Sequence, residues 1–147
     1  MNHNLIMYLA RIVKIFLAAL LGVGCISGVA NAQANETSSG VTLTSVTSQV
    51  VPDDPERTLT AFVVNLAPKA YTASHRHAGI VFVYVLEGTV YSQLNSGEVI
   101  VYGPGQSWSE PPGTVHSYME NPSHSVPARL LATIIAPTGA QLTTYGK

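Results

Sequence analysis

Two histidines, His75 and His77, are separated only by Arg76. In an extended segment side chains alternate, so both imidazoles leave the same face. Ala78-Gly79 then signals a turn. Ile80 to Leu86 follows as a continuous apolar, β-branched and aromatic run, the composition of a buried strand. Two imidazoles on one face beside a core strand are half of a metal site. The other half must come from further along the chain.

Gly88 follows His77 by eleven residues, and Gly105, Pro111, Gly113 and His116 form the pattern Gly-x5-Pro-x-Gly-x2-His. The first group resembles the first signature of the cupin superfamily and the second group its second signature. Asn121 stands one residue later than the asparagine that ends that second motif. The two matches together span roughly residues 66 to 137. The resemblance implies that His75, His77 and His116 hold one divalent metal ion. Imidazole ligation does not by itself distinguish Zn, Fe, Mn, Ni and Cu. In one respect the chain departs from the family. Cupins carry a metal-binding glutamate seven residues before the glycine of the first motif, and that position is Val81 here.

Glu110 is the first candidate to replace the lost ligand, and it is also the candidate catalytic acid or base. It directly precedes Pro111 on the strand leading to His116, and alternation puts Trp108 on the same face. Gln93 is the second candidate ligand. A closed fourth position is not required, since catalytic zinc sites commonly have three protein ligands and a water. No other constellation competes. The chain has no phosphate-binding Gly-rich loop with its lysine and no Gly-x-Ser-x-Gly elbow.

The elements that must position these residues are strands. Val41 to Val46 begins with alternation and reads as a strand, at an edge or within a sheet, and Leu59 to Leu66 as a second, ended by Pro68. Pro68 to Tyr71 reads as a turn into the strand of His75 and His77. Val90 to Leu94 stops at Asn95-Ser-Gly97, and Val99 to Tyr102 at Gly103-Pro-Gly105. Gln106 to Glu110, Val115 to Met119 and Ala128 to Ala136 complete the set. Eight or nine short strands without a long crossover predict an all-β sandwich or barrel. An eight-stranded jelly roll is the natural closure, and the cupin resemblance implies the same double-stranded β-helix. The predicted barrel occupies residues 59–137, preceded by a leader and N-terminal strand at 33–58 and followed by a polar tail at 138–147.

Residues 1–32 have the arrangement of a secretory signal peptide. Arg11 and Lys14 precede an apolar run from Ile15 to Ile26, and Ala30-Asn31-Ala32 supplies small residues for cleavage, with Ala34 as an alternative point. The run is shorter than the roughly 20 residues that span a bilayer, so export with cleavage is preferred over a retained anchor. Lipidation at Cys25 is a third reading, with Gly22 a poor fit to the lipobox. The expected location is periplasmic or extracellular, in a bacterium, with no stable membrane insertion after cleavage. The mature chain would keep eight acidic and five basic residues, a formal charge of −3, and no cysteine. Without a basic tract it is not expected to bind nucleic acid. A small-molecule ligand or substrate is the expected partner. A homodimer is implied by the resemblance and by strand edges that need covering, with Val41 to Val51 or the Leu59 strand as interface. Two function classes remain open: a metal-dependent enzyme acting on a small organic molecule, or a non-catalytic binding or structural module. Fold alone does not choose between them.

Overall fold

The structure, a computed structural model, describes residues 38–146. The signal-peptide reading of residues 1–32, with its cleavage points and Cys25, lies outside the described residues. Ten strands follow in order: β1 (Ser38–Val51), β2 (Asp54–Thr72), β3 (His75–His77), β4 (Ile80–Glu87), β5 (Val90–Leu94), β6 (Ile100–Tyr102), β7 (Ser107–Glu110), β8 (Val115–Glu120), β9 (Ala128–Pro137) and β10 (Thr143–Tyr145). All pairings are antiparallel. The strands curl into a nearly closed barrel, the jelly roll expected from the strand pattern. Among the described residues no helix is long and apolar enough to cross a membrane.

One wall of the barrel runs β1-β2-β9-β4-β7, and the other runs β10-β3-β8-β5-β6. The strand β2 belongs to both. Arg57 to Leu66 pairs with β9, whereas Tyr71 and Thr72 pair with β8. The corner lies at 67–70, where the sequence predicts a turn from Pro68 to Tyr71. The chain does bend there, but as a bulge inside one continuous strand. Lys69 takes a positive φ of 61°, and the register to β1 jumps between Ser39 and Val41. Pro68 has no N–H to give a ladder, which is why a proline is tolerated at such a break. Asn121, fully buried, holds the corner. Its Nδ2 donates to the carbonyls of Leu66, Ala67 and Val126, and its Oδ1 accepts from the Ser123 N–H.

The strand β4 corrects a second expectation. It is not buried on both faces. Val81, Val83 and Val85 point into the core, while Ile80, Phe82, Tyr84 and Leu86 are exposed. Composition cannot show this, because both faces are apolar; only the period-2 alternation against the sheet can. The tail beyond Pro137 also contributes structure, since Thr143–Tyr145 pairs with β3 as β10. At the other end Ser38 and Ser39, read as part of a leader, already pair with Thr72 and Tyr71.

The core comprises Val64, Leu66, Val81, Val83, Val85, Val90, Leu130 and Ile134 with Trp108 and Met119. Two glycines permit the close approach of β4 to its neighbours. A Cβ on Gly79 would overlap the Ile135 carbonyl oxygen, and one on Gly88 would lie 2.7 Å from that of Pro127. Gly88 also has a positive φ of 75°, which disfavours any other residue.

Candidate metal centre

The three histidines meet inside the barrel. His75 and His77 flank Arg76 on β3, and His116 on β8 is the register partner of His75. The ring centroid of His75 is 4.9 Å from those of both His77 and His116. One ring nitrogen from each residue lies within 4.8 Å of the other two. His75 and His116 are buried and His77 is half-buried. This cluster is suited to hold a single divalent metal ion.

Two of the rings are oriented by main-chain carbonyls. His75 Nδ1 is 2.8 Å from the Ala73 oxygen, and His77 Nδ1 is 3.3 Å from the Leu142 oxygen and 3.1 Å from Thr143 Oγ1. A carbonyl at Nδ1 fixes the tautomer with its proton there and leaves Nε2 as a free lone pair, as in most metal-binding histidines. His116 is held differently. Its Nε2 is 2.9 Å from Ser92 Oγ and its Nδ1 is 3.2 Å from Glu110 Oε1.

Glu110 is at the end of β7 and only 1 % exposed, a burial that a glutamate tolerates only with partners. The indole N–H of Trp108 donates to its Oε1 at 3.0 Å. Its Oε2 is 3.8 Å from His77 Nε2 and has no hydrogen-bond partner. Two ligands of one ion, each about 2.1 Å from it, stand roughly 3 to 3.5 Å apart. The carboxylate oxygens lie close to that spacing from His116 and His77. A buried carboxylate oxygen without a hydrogen-bond partner therefore faces the imidazole cluster.

The electrostatics agree. Burial lowers the pKa of all three rings. His77 falls to about 4, with the neighbouring His75 adding to the effect, and His116 to about 3, with His75 and His77 adding. All three are therefore neutral near pH 7, the form that binds metal. Burial raises the pKa of Glu110, opposed by the Trp108 hydrogen bond. The contacts of Glu110 with His77 and His116 are thus contacts with neutral rings, not ion pairs.

Ser92, His116 and Glu110 form a chain with the connectivity of a hydrolytic triad. Ser92 is 2 % exposed and does not line the cavity, so its hydroxyl positions the His116 ring and cannot reach a substrate. Gln93, the second candidate ligand, is not at the site. Its Nε2 donates to the Gly97 carbonyl in the β5–β6 hairpin. Trp108 lines the cavity, while Tyr91 and Tyr118 do not. Thr143 and Tyr145 do line it, although both lie in the segment that reads as a polar tail. No signal in that polar segment marks them out.

The profile of the cupin domain family matches residues 62–134. Solved structures agree with it. A cupin-like protein from Thermotoga maritima shares 16% identity at a TM-score of 0.59, over 76% of this chain and 80% of its own. A double-stranded β-helix protein from Klebsiella pneumoniae shares 20% at 0.58, over 72% and 79%. The chain has the fold of a small single-domain cupin. An acetylacetone dioxygenase from Acinetobacter johnsonii is a more distant fold neighbour, at 20% identity and a TM-score of 0.52, covering 68% of this cupin and 63% of the enzyme. A search of curated proteins finds no match to the chain. In this cupin the family's histidine positions are filled and meet, and Val81 fills the glutamate position without a ligand atom.

Proposed function

We propose that this cupin is an exported domain that holds one divalent metal ion with His75, His77, His116 and Glu110, and that the ion engages a small organic molecule inside the barrel. The single observation that carries this reading is the unpartnered Oε2 of Glu110, buried and turned toward the histidines. The bound ion would act as a Lewis acid on a coordinated oxygen, or as a redox centre if it is Fe or Cu. The residues of the chain do the rest. Ala73, Leu142 and Thr143 orient two of the rings. Trp108 directs the carboxylate with its N–H, and the apolar wall excludes water. In the metal-free site Glu110 is the carboxyl group that can hold a proton, because burial raises its pKa.

A non-catalytic binding module is the second reading. One observation favours it: among the described residues Glu110 is the only carboxylate on the cavity wall, so its use as a ligand leaves no second carboxylate there. The fold neighbours include enzymes by name, but at this identity they speak for the fold and not for the reaction.

The wider setting is proposed on sequence grounds. The signal-peptide pattern of residues 1–32 supports a periplasmic or extracellular location, and the lack of a basic tract speaks against nucleic acid. A homodimer is supported by β1, which among the described residues pairs only with β2, and by exposed Leu43, Val46 and Val50 on it. Light scattering on the mature domain is expected to give twice the chain mass; a monomer throughout the micromolar range would refute the dimer.

Metal analysis of the exported protein tests the central reading. One divalent ion per chain is expected, and His77→Ala is expected to lose most of it while far-UV circular dichroism stays that of a β protein. A metal content unchanged by His77→Ala and by His116→Ala would refute the shared site.

A further inference from the structure

The cavity beside the histidines is small, about 240 Å³. That is below the roughly 300–1,000 Å³ of sites for drug-sized ligands and near the volume of about eight waters. Its wall is apolar for most of its extent, with Val64, Val83, Leu130, Ala132 and Ile134 among the residues facing the site. Among the described residues no lysine or arginine lines it. Besides Glu110 Oε2, the described residues have one other buried side-chain atom without a hydrogen-bond partner, Thr72 Oγ1. Thr72 ends β2 three residues before His75, is 7 % exposed, and lines the same cavity. A hydroxyl lodged in an apolar wall without a partner is costly to keep. A bound molecule is the natural partner.

On the metal reading given above, we infer that the site takes a compact oxygen-bearing molecule with an apolar body and at most one negative charge. One oxygen faces the ion, and a second accepts a hydrogen bond from the Thr72 hydroxyl. A divalent ion with Glu110 as its one anionic ligand leaves a single positive charge. A monoanion neutralises that charge, and a neutral dicarbonyl coordinates without bringing a second negative charge. A phosphorylated or dicarboxylic molecule brings an additional negative charge into a wall with no cation to meet it. A free sugar brings several hydroxyls into a wall with few partners for them.

Trp108 is the only tryptophan in the chain and stands on the cavity wall, so its fluorescence reports occupancy. The test titrates the metal-loaded protein with pentane-2,4-dione, 2-oxobutyrate, malonate, glycerol 3-phosphate and xylose, with metal content measured on the same samples. Saturable changes are expected with the first two and none with the last three. Thr72→Val keeps the side-chain shape and removes the hydroxyl. It is expected to weaken the dione or the oxo acid by about tenfold with metal content unchanged. Tight binding of malonate, glycerol 3-phosphate or xylose, no binding of the dione or the oxo acid, or an unchanged affinity in Thr72→Val, would overturn the inference while the metal reading stands. Wild-type protein that takes up no metal would overturn both.

Discussion

Val81 and Glu110 are register partners across the β4–β7 pair, and both side chains face the cavity. The position where cupins carry a glutamate is thus occupied by a valine whose direct neighbour is a glutamate. Opposed residues on one face of an antiparallel pair have their Cβ atoms about 5 Å apart, and a glutamate side chain spans that distance. A carboxylate at 110 therefore reaches the part of the cavity that a carboxylate at 81 would face.

This relationship predicts an exchange. Glu110→Val is expected to lower metal affinity by at least about tenfold, the least that loss even of a ligand's supporting contact costs. Val81→Glu combined with Glu110→Val is expected to restore most of it. Competition titration with a chelating dye measures both. A double variant no better than Glu110→Val would mean that the carboxylate must come from β7. A Glu110→Val protein with wild-type affinity would remove Glu110 from the ligand set.

The close approach of β4 to β9 beside the site predicts the effect of one methyl group. In Gly79→Ala the new Cβ would sit on the Ile135 carbonyl and close to Ala136 Cα. Both are main-chain atoms of a paired strand and cannot turn aside as a side-chain end can. The substitution is expected to destabilise the domain by about 2 to 3 kcal/mol, the upper range for overpacking. The shift in urea midpoint at constant m measures it. Gly113→Ala is the control, because its Cβ would meet nothing within 4 Å and only its positive φ of 84° resists the change.

Particular residues show what the sequence made legible. His75 and His77 could be placed on one face because alternation is a local rule, and β3 obeys it. His116 could be joined to them only by resemblance, since nothing local says that β8 pairs with β3. Glu110 was legible as a candidate from its alternation with Trp108, but its pairing with Val81 is a fact of register between two strands. Gln93 was equally eligible by pattern, and only the β5–β6 hairpin shows its side chain spent on Gly97. The bulge at 67–70 looked like a turn because a proline and a positive-φ residue have the same local signature in both. Thr143 and Tyr145 were invisible because a three-residue strand in a polar segment has too few residues to show a period.

The buried charges predict a pH dependence with two opposed limbs in the metal-free protein. Glu110 has a folded pKa above its unfolded value, so the folded state keeps its proton longer. Its stabilising effect is complete below the unfolded pKa of 4.5 and is lost as pH rises through the folded value. The histidines run the other way. Their folded pKa values are lowered, to about 4 for His77 and about 3 for His116, so stability present above 6.5 is lost as pH falls toward those values. Metal-free Glu110→Gln is therefore expected to melt higher than metal-free wild type at pH 8, by about a few degrees. The difference should vanish near pH 4, where the wild-type carboxyl is protonated in the folded state. Thermal melts with chelator present measure this. Equal melting temperatures at pH 8 would show that burial of the carboxylate carries no penalty.

The C-terminal strand predicts a positioning role far from any motif. β10 pairs with β3 in register, Thr143 opposite His77 and Tyr145 opposite His75. Thr143 Oγ1 lies 3.1 Å from His77 Nδ1, and the Tyr145 ring is 5.6 Å from that of His75. Contacts of this kind at the far nitrogen of a ligating imidazole fix its ring plane and raise its basicity, and their loss costs about 10- to 100-fold in metal affinity. The Leu142 carbonyl remains on the same nitrogen at 3.3 Å, so the lower end of that range is expected for Thr143→Val. Thr143→Ser keeps the hydroxyl and is expected to restore the affinity. The charge-transfer and ligand-field bands of the Cu(II)- or Co(II)-loaded protein give a second readout. They are expected to shift in Thr143→Val and to return in Thr143→Ser, because they report the plane of the His77 ring and not the stability of the strand. A Thr143→Val protein with wild-type affinity and an unshifted spectrum would leave β10 with packing alone.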